Sequence, residues 1–357
     1  MIADAAGLAE LIDRLAPLSQ IALDTEADSL HSYFEKMCLI QISTEHENCL
    51  VDPLAGMPLQ PLYDVLAGKR LVLHGADYDL RLLHRSGNFA VTDIFDTMIA
   101  SRLSGYKELG LAALVARHFD VKLSKASQKA NWALRPLSNQ MLEYAMSDTK
   151  YLLPLAAILE AELRRLHRWE WFIESRDRLI AAAREPRERD ETQAWRISGS
   201  AALSPRAQSI LRVLWYWRDG EAKAWDRPPF HVMNNEEMVR IAEKADRGEP
   251  YSTLRMSSRR RKSFEVVMAL AQHIPEKEWP VTTKTRRPRA TREQTERFDS
   301  LKKVRDKVAA ELDLDPSIIA PRNALEAASL DLATPVLMRW QRQLLGLGPV
   351  ENSGHAA

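Results

Sequence analysis

The sequence predicts an α/β layer with a mixed five-stranded sheet, followed by two small all-α helical bundles. Three observations predict it. Short apolar runs bounded by turn residues cluster near the N-terminus and then alternate with segments of helical period. Beyond about residue 200 the apolar residues recur only at helical spacing, and Pro228-Pro229, Asn234-Asn235 and Gly248-Glu249-Pro250 break them into short helices. Charged stretches at 183–192 and 282–292 separate these regions.

Residues 5–15 read as a helix stopped by Pro17, and strands follow at 21–26, 37–43 and 48–51. The polar links between these strands are short enough for antiparallel pairing. Residues 58–66 read as a helix and Leu71-Val-Leu-His74 as a fourth strand, after which Gly75 turns the chain into a helix over 76–85. A fifth strand is expected at 91–95, a run of helices from Thr97, and the longest helix over 138–167. Strands first, then strand–helix alternation, indicate a mixed sheet with helical cover.

The first strand ends in Asp24-Thr25-Glu26. Side chains alternate along a strand, so Asp24 and Glu26 share a face. An isolated pair of this kind is most often a solvated strand end. Further carboxylates converge here, however, and clustered carboxylates repel unless a cation neutralises them. Asp79 stands in the first turns of the helix after the fourth strand, near where strand ends gather ligands in α/β sheets. Its plainer reading is a carboxylate at a helix start. Tyr144 and Asp148 are four residues apart on one helix face, where they can serve a metal and orient a water, or be a half-buried tyrosine beside a solvated acid.

Composition fits an ordinary globular chain: of 357 residues, 45% are hydrophobic and 28% charged. No apolar run approaches the roughly 20 residues that span a bilayer, and the N-terminus lacks the basic and apolar regions of a signal peptide. Cys38 and Cys49 have no Cys/His cluster around them, so thiols in the reducing cytoplasm are expected, not a zinc site. The net charge of +1 hides an asymmetry. Residues 1–170 hold 17 Lys and Arg against 22 Asp and Glu, and the remainder 33 against 27. An acidic half suits cations and a basic half suits polyanions, with basic runs at 255–262 and 284–292.

DTE at Asp24, HGADYDLRLL around Asp79, FDT at Phe95, NWALRPL from Asn131 and YAMSDTKYLL from Tyr144 together resemble ribonuclease D. That family belongs to the DEDD 3′→5′ exonucleases, with a ribonuclease H-like fold, and the likeness covers about 18–165. Residues 203–273 are similar to the helicase-and-ribonuclease-D C-terminal (HRDC) domain, and 298–345 to a degenerate second copy. The resemblance implies an exonuclease domain over 1–170, a charged linker over 171–200, a first HRDC domain over 201–278, a basic linker over 279–293 and a second HRDC-like domain over 294–350.

It also implies the site: Asp24, Glu26, Asp79 and Asp148 as metal ligands with Tyr144 as the catalytic tyrosine. Asp79 is chosen over Asp77 because the acid directly precedes the apolar helix residues. Asp96 is left outside the site. Glu143 stands where a variant of the third motif has histidine, and Asn131 where relatives often carry Asp. Oxygen ligands suit two hard cations, Mg²⁺ or Mn²⁺, clamping an in-line phosphodiester hydrolysis, with Asp24 bridging them. The expected partner is RNA with a free 3′ end, tRNA precursors among them, and no organic cofactor or membrane. Leu30, His31, Tyr33, Gln128, Trp132 and Arg135 are expected substrate contacts, and Arg259, Arg260, Arg261 and Lys262 expected nucleic-acid contacts. The helical domains either add phosphate contacts or act as a spacer. Two rivals remain at this point: a DNA-directed 3′→5′ exonuclease, and a non-catalytic RNA-binding protein on an inactivated nuclease fold.

Overall fold

A computed structural model of the chain describes residues 1–348 except 88, 186–189, 253–255, 281–289 and 331–336. Asp4 begins the first helix by accepting the Gly7 N–H at 2.8 Å, and α1 (Ala5–Leu15) buries Leu8, Leu11 and Leu15 along one stripe. Strands β1 (Gln20–Ala27), β2 (Met37–Ser43) and β3 (Asn48–Val51) precede α2 (Gln60–Ala67). Then come β4 (Arg70–Leu73), α3 (Asp77–Gly87), β5 (Asp93–Asp96) and α4 (Thr97–Leu103). The sheet runs in the order β3-β2-β1-β4-β5, with β1–β4 and β4–β5 parallel and β2–β3 antiparallel. It is the mixed five-stranded sheet expected. Every residue of β2 is buried, as a strand covered on both faces requires.

Helices α5 (Leu111–Phe119), α6 (Asn139–Lys150), α7 (Leu152–Arg165) and α8 (Trp169–Arg184) complete the α/β layer. Two expectations change here. The helix expected over 138–167 is two helices, because Pro154 has no N–H for the carbonyl of Lys150. The chain restarts at Leu152, placing Pro154 in a first turn where a missing N–H costs nothing. Residues 171–184, expected as linker, form α8 instead. Its Phe172 packs on Phe95 with ring centroids 4.7 Å apart.

The remaining helices are α9 (Pro205–Trp225), α10 (Pro229–Val232), α11 (Asn235–Arg247), α12 (Ser258–Gln272), α13 (Arg292–Glu311), α14 (Pro316–Ile319), α15 (Arg322–Ser329) and α16 (Arg339–Leu344). The chain forms two compact units. One comprises 1–26, 37–185 and the described part of 288–357; the other comprises 27–36 and the described part of 186–287. The segment expected as a separate second bundle therefore belongs to the nuclease unit. Arg168 donates to the Leu103 and Leu312 carbonyls, each at 2.7 Å, and Trp340 stacks on Trp171 at 4.7 Å. Glu174 accepts the backbone N–H groups of Arg339 and Trp340.

In the second unit α9, α11 and α12 bury Ile210, Leu214, Met238, Ile241 and Phe264. Trp195 lies in the same core, so this unit starts before residue 201. It also holds the loop that follows β1. Buried Asp28 organises that loop by accepting the Ser32 hydroxyl and the Lys36 N–H, both at 2.7 Å. Asp226, just past the end of α9, accepts the N–H groups of Tyr33 and Phe34 at 3.1 Å, and the Tyr33 hydroxyl donates to Asp219 at 2.8 Å. No described helix is long and apolar enough to cross a membrane.

Candidate active site

Strand alternation at the end of β1 turns Thr25 into the protein and leaves Asp24 and Glu26 half-buried together on the opposite face. Helix α6 is fixed beside them from below. Ala145 is buried, and the buried Thr149 hydroxyl bonds the Ser43 hydroxyl of β2 at 2.6 Å. Asp148, next to Thr149, is thereby brought to the strand end. Asp24, Glu26 and Asp148 each offer an oxygen, and these oxygens all lie within 4.8 Å of one another. The Tyr144 phenol lies close enough to Asp148 to lower that carboxyl's pKa, and its ring packs 6.0 Å from that of Trp132.

Asp79 reaches the same strand differently. It stands outside the three-carboxylate group, and its Oδ1 accepts both the Thr25 N–H at 3.0 Å and the Thr25 hydroxyl at 2.5 Å. The helix that carries it is set by Asp96, which is almost wholly buried. The Asp96 carboxylate caps α4 through Met98 and Ile99, and also accepts the N–H of Gly75 at 3.0 Å and of Ala76 at 2.8 Å. One carboxylate thus ties the β5–α4 turn to the β4–α3 turn. Gly75 completes that turn at φ +75°, where a side chain would be strained.

Burial and mutual repulsion dominate the electrostatics. Desolvation, then the charges of Asp79, Asp148 and Glu26, pushes the Asp24 carboxyl well above the usual range. Desolvation, then Asp148 and Asp79, raises Glu26 to about 9. Desolvation raises Asp148 to about 6 against the lowering influence of Tyr144, and Asp79 to about 6 against the bonds from Thr25. Desolvation, then Asp148, pushes the Tyr144 phenol upward, so it stays protonated at neutral pH. None of the ion pairs among the described residues involves Asp24, Glu26, Asp79 or Asp148. Hard oxygen donors, half-buried and close together without a Lys or Arg between them, fit a divalent cation.

The expected substrate contacts separate into groups. Trp132 is only 1% exposed and lies in the core with Cys38, Leu39 and Ala145, so it cannot touch substrate; its indole packs the floor beneath Tyr144. Arg135 is also a structural residue. Its guanidinium is spent on both oxygens of Asp52 and on the carbonyls of Cys38, Trp132 and Leu134. Gln128 is exposed on the segment before α6. Leu30 is exposed, His31 and Tyr33 are half-buried, and all three belong to the second unit. There, Arg259 and Arg260 meet Glu221 at 3.0 and 3.4 Å, and Arg260 also lies over the Trp225 ring. Arg261 is half-buried and Lys262 exposed. Arg255 and 284–289 of the basic runs lie outside the described residues.

Three positioning residues, Thr25, Ser43 and Thr149, escape sequence reasoning. Thr25 reads as a spacer between acids, although a β-branched residue facing inward there is a signal. The bond between Ser43 and Thr149 has no local signature, since its partners are 106 residues apart.

The 3′-5′ exonuclease family matches residues 1–164, and the HRDC domain family matches residues 207–249. The chain is 26% identical over 340 residues to Ribonuclease D of Bartonella henselae, covering 91% of this chain and 83% of that protein. It is 30% identical over 285 residues to Ribonuclease D of Sphingobium indicum, covering 77% of this chain and 73% of that protein. Escherichia coli RNase D, an exoribonuclease involved in structured RNA processing, shares the fold at a TM-score of 0.71 and 24% identity, over 97% of this chain and 96% of that one.

Proposed function

The chain belongs to the ribonuclease D family and is a 3′-5′ exoribonuclease, and we propose that it hydrolyses RNA 3′ ends at Asp24, Glu26, Asp148, Asp79 and Tyr144. The observation that carries this assignment is the meeting of three carboxylates within 4.8 Å beside the Tyr144 hydroxyl. Asp24, Glu26 and Asp148 would hold a first Mg²⁺ or Mn²⁺ ion, and Asp24 would share its carboxylate with a second. Such ions, when bound, neutralise charge on the phosphodiester and lower the pKa of water.

The chain's own groups do the positioning. Thr25 donates two hydrogen bonds to Oδ1 of Asp79, whose other oxygen would serve a second ion. Tyr144, a poor base, keeps its proton and uses its hydroxyl to aim a water at the phosphorus. Trp132 holds the Tyr144 ring from behind. Exposed Leu30 on the loop after β1, with half-buried His31 beside it in the chain, would meet the terminal nucleotide. The products are nucleoside 5′-monophosphates. Structured RNAs, tRNA precursors among them, are the proposed substrates, and the cytoplasm the proposed compartment, which agrees with Cys38 and Cys49 not being joined in a disulfide.

Single-stranded RNA and DNA, each labelled at the 3′ or the 5′ end, test the reading in Mg²⁺, Mn²⁺ and EDTA. A 5′-labelled RNA should shorten in single-nucleotide steps in either metal and stay intact in EDTA. Preference for DNA would support the DNA-directed alternative. Metal-independent cleavage, or none, would overturn the assignment.

A further inference from the structure

Helix α6 presents three stripes. Ala145 and Thr149 are buried, Tyr144 and Asp148 meet the acidic cluster, and Glu143, Ser147 and Lys150 recur at three- and four-residue spacing on what remains. This third stripe walls a cleft of about 530 Å³, which also takes in Tyr144, Tyr151 and, from the segment after α5, Lys122 and Ser124. Tyr144 is therefore common to the cleft and the catalytic cluster. The volume lies within the roughly 300–1,000 Å³ of clefts that hold small ligands.

The charge in this cleft is opposite to that of its neighbour. Lys122 and Lys150 are exposed, and neither enters an ion pair among the described residues; Glu143 is the one carboxylate in the lining. The Lys150 ammonium stands 5.5 Å from the centroid of the half-buried Tyr151 ring. An ammonium beside an aromatic ring that Phe119 packs against at 5.5 Å, with the Ser124 hydroxyl in the same lining, offers a nucleotide both a phosphate partner and a stacking surface.

We propose that this cleft is a subsite for one nucleotide of the RNA strand next to the scissile bond, with Lys122 and Lys150 on its phosphates and Tyr151 against its base. It rests on the exonuclease reading and adds a binding position to it. The strand would then pass Tyr144 from a basic cleft into the acidic cluster, so its orientation is set before the cut.

Binding of a short single-stranded RNA to the full chain in EDTA, across a salt series, tests this. Replacing both lysines (Lys122→Gln with Lys150→Gln) should flatten the slope of log affinity against log salt by about 1.4, at roughly 0.7 per phosphate contact. Tyr151→Leu should leave that slope alone and weaken binding about fivefold or more. Thermal melting reports folding, and if the double variant melts early, each single variant should lose about 0.7 of slope. A wild-type slope in the lysine variants, in a protein that trims RNA 3′ ends, overturns the subsite and spares the exonuclease. A wild-type chain that degrades no RNA overturns both.

Discussion

Thr25 and Asp79, 54 residues apart, are joined by two hydrogen bonds to a single carboxylate oxygen, from the Thr25 backbone and from its hydroxyl. The residue between the two strand carboxylates is thus what positions the helix carboxylate. Thr25→Val keeps the shape and the backbone bond but removes the hydroxyl. Buried Asp79 then loses a donor, at a cost of about 1–3 kcal/mol. Urea unfolding should show that loss, and turnover should fall with it. Unchanged stability and turnover would show that the hydroxyl does not position Asp79.

Tyr144→Phe removes a hydroxyl and no metal ligand. Cation binding, followed by calorimetry, should survive, while turnover drops by about 10²-fold or more through loss of water positioning. An unaltered rate and pH profile would leave Tyr144 as packing on Trp132.

The raised carboxyls predict how the metal-free protein responds to pH. A carboxyl ordinarily titrates near about 4, and burial holds Asp79 and Asp148 at about 6 and Glu26 at about 9. Between the unfolded and folded values the native state binds more protons than the unfolded state, so stability falls as pH rises. The metal-free melting temperature should therefore decline from about pH 5 to pH 9, and saturating Mg²⁺ should remove much of that decline. A metal-free curve that rises over this window contradicts the cluster's electrostatics.

The loop after β1 depends on partners far away in sequence. Asp226 holds the N–H groups of Tyr33 and Phe34, Asp219 holds the Tyr33 hydroxyl, and Arg227 donates to the His31 carbonyl at 2.9 Å. Asp219→Ala, Asp226→Ala and Arg227→Ala together remove all three. Even a short oligonucleotide should then be processed more slowly, because the loop bearing Leu30 and His31 is released. Asp226→Ala should reproduce part of this, with faster hydrogen exchange at 33 and 34 and a higher KM. Wild-type exchange at those amides would contradict the clamp.

How much of this was legible follows from where each signal resides. The five strands could be read because each is a short apolar run bounded by turn residues, and the acids because strand and helix periods put them on shared faces. Pro154 was misleading: inside a continuous apolar pattern it marks a new first turn, not a helix interior. Charge disguised 171–184 as linker, since α8 buries only one stripe, with Phe172, Ile180 and Ala183. Trp132 and Arg135 look functional by residue type, yet the tertiary fold consumes them in packing and in the pairing with Asp52. The membership of 27–36 in the second unit had no local signature at all, because Asp219 and Asp226 stand nearly two hundred residues away.

In the proposed mechanism Asp24, Glu26 and Asp148 together hold the cation that hydrolysis requires. The most direct test is the rate of nucleoside 5′-monophosphate release from a 3′-labelled RNA by Asp24→Asn at saturating Mg²⁺, with folding verified by melting. The geometry predicts a fall of more than about 10²-fold from loss of one preorganised charge at the reacting phosphate. Release at the wild-type rate would contradict it.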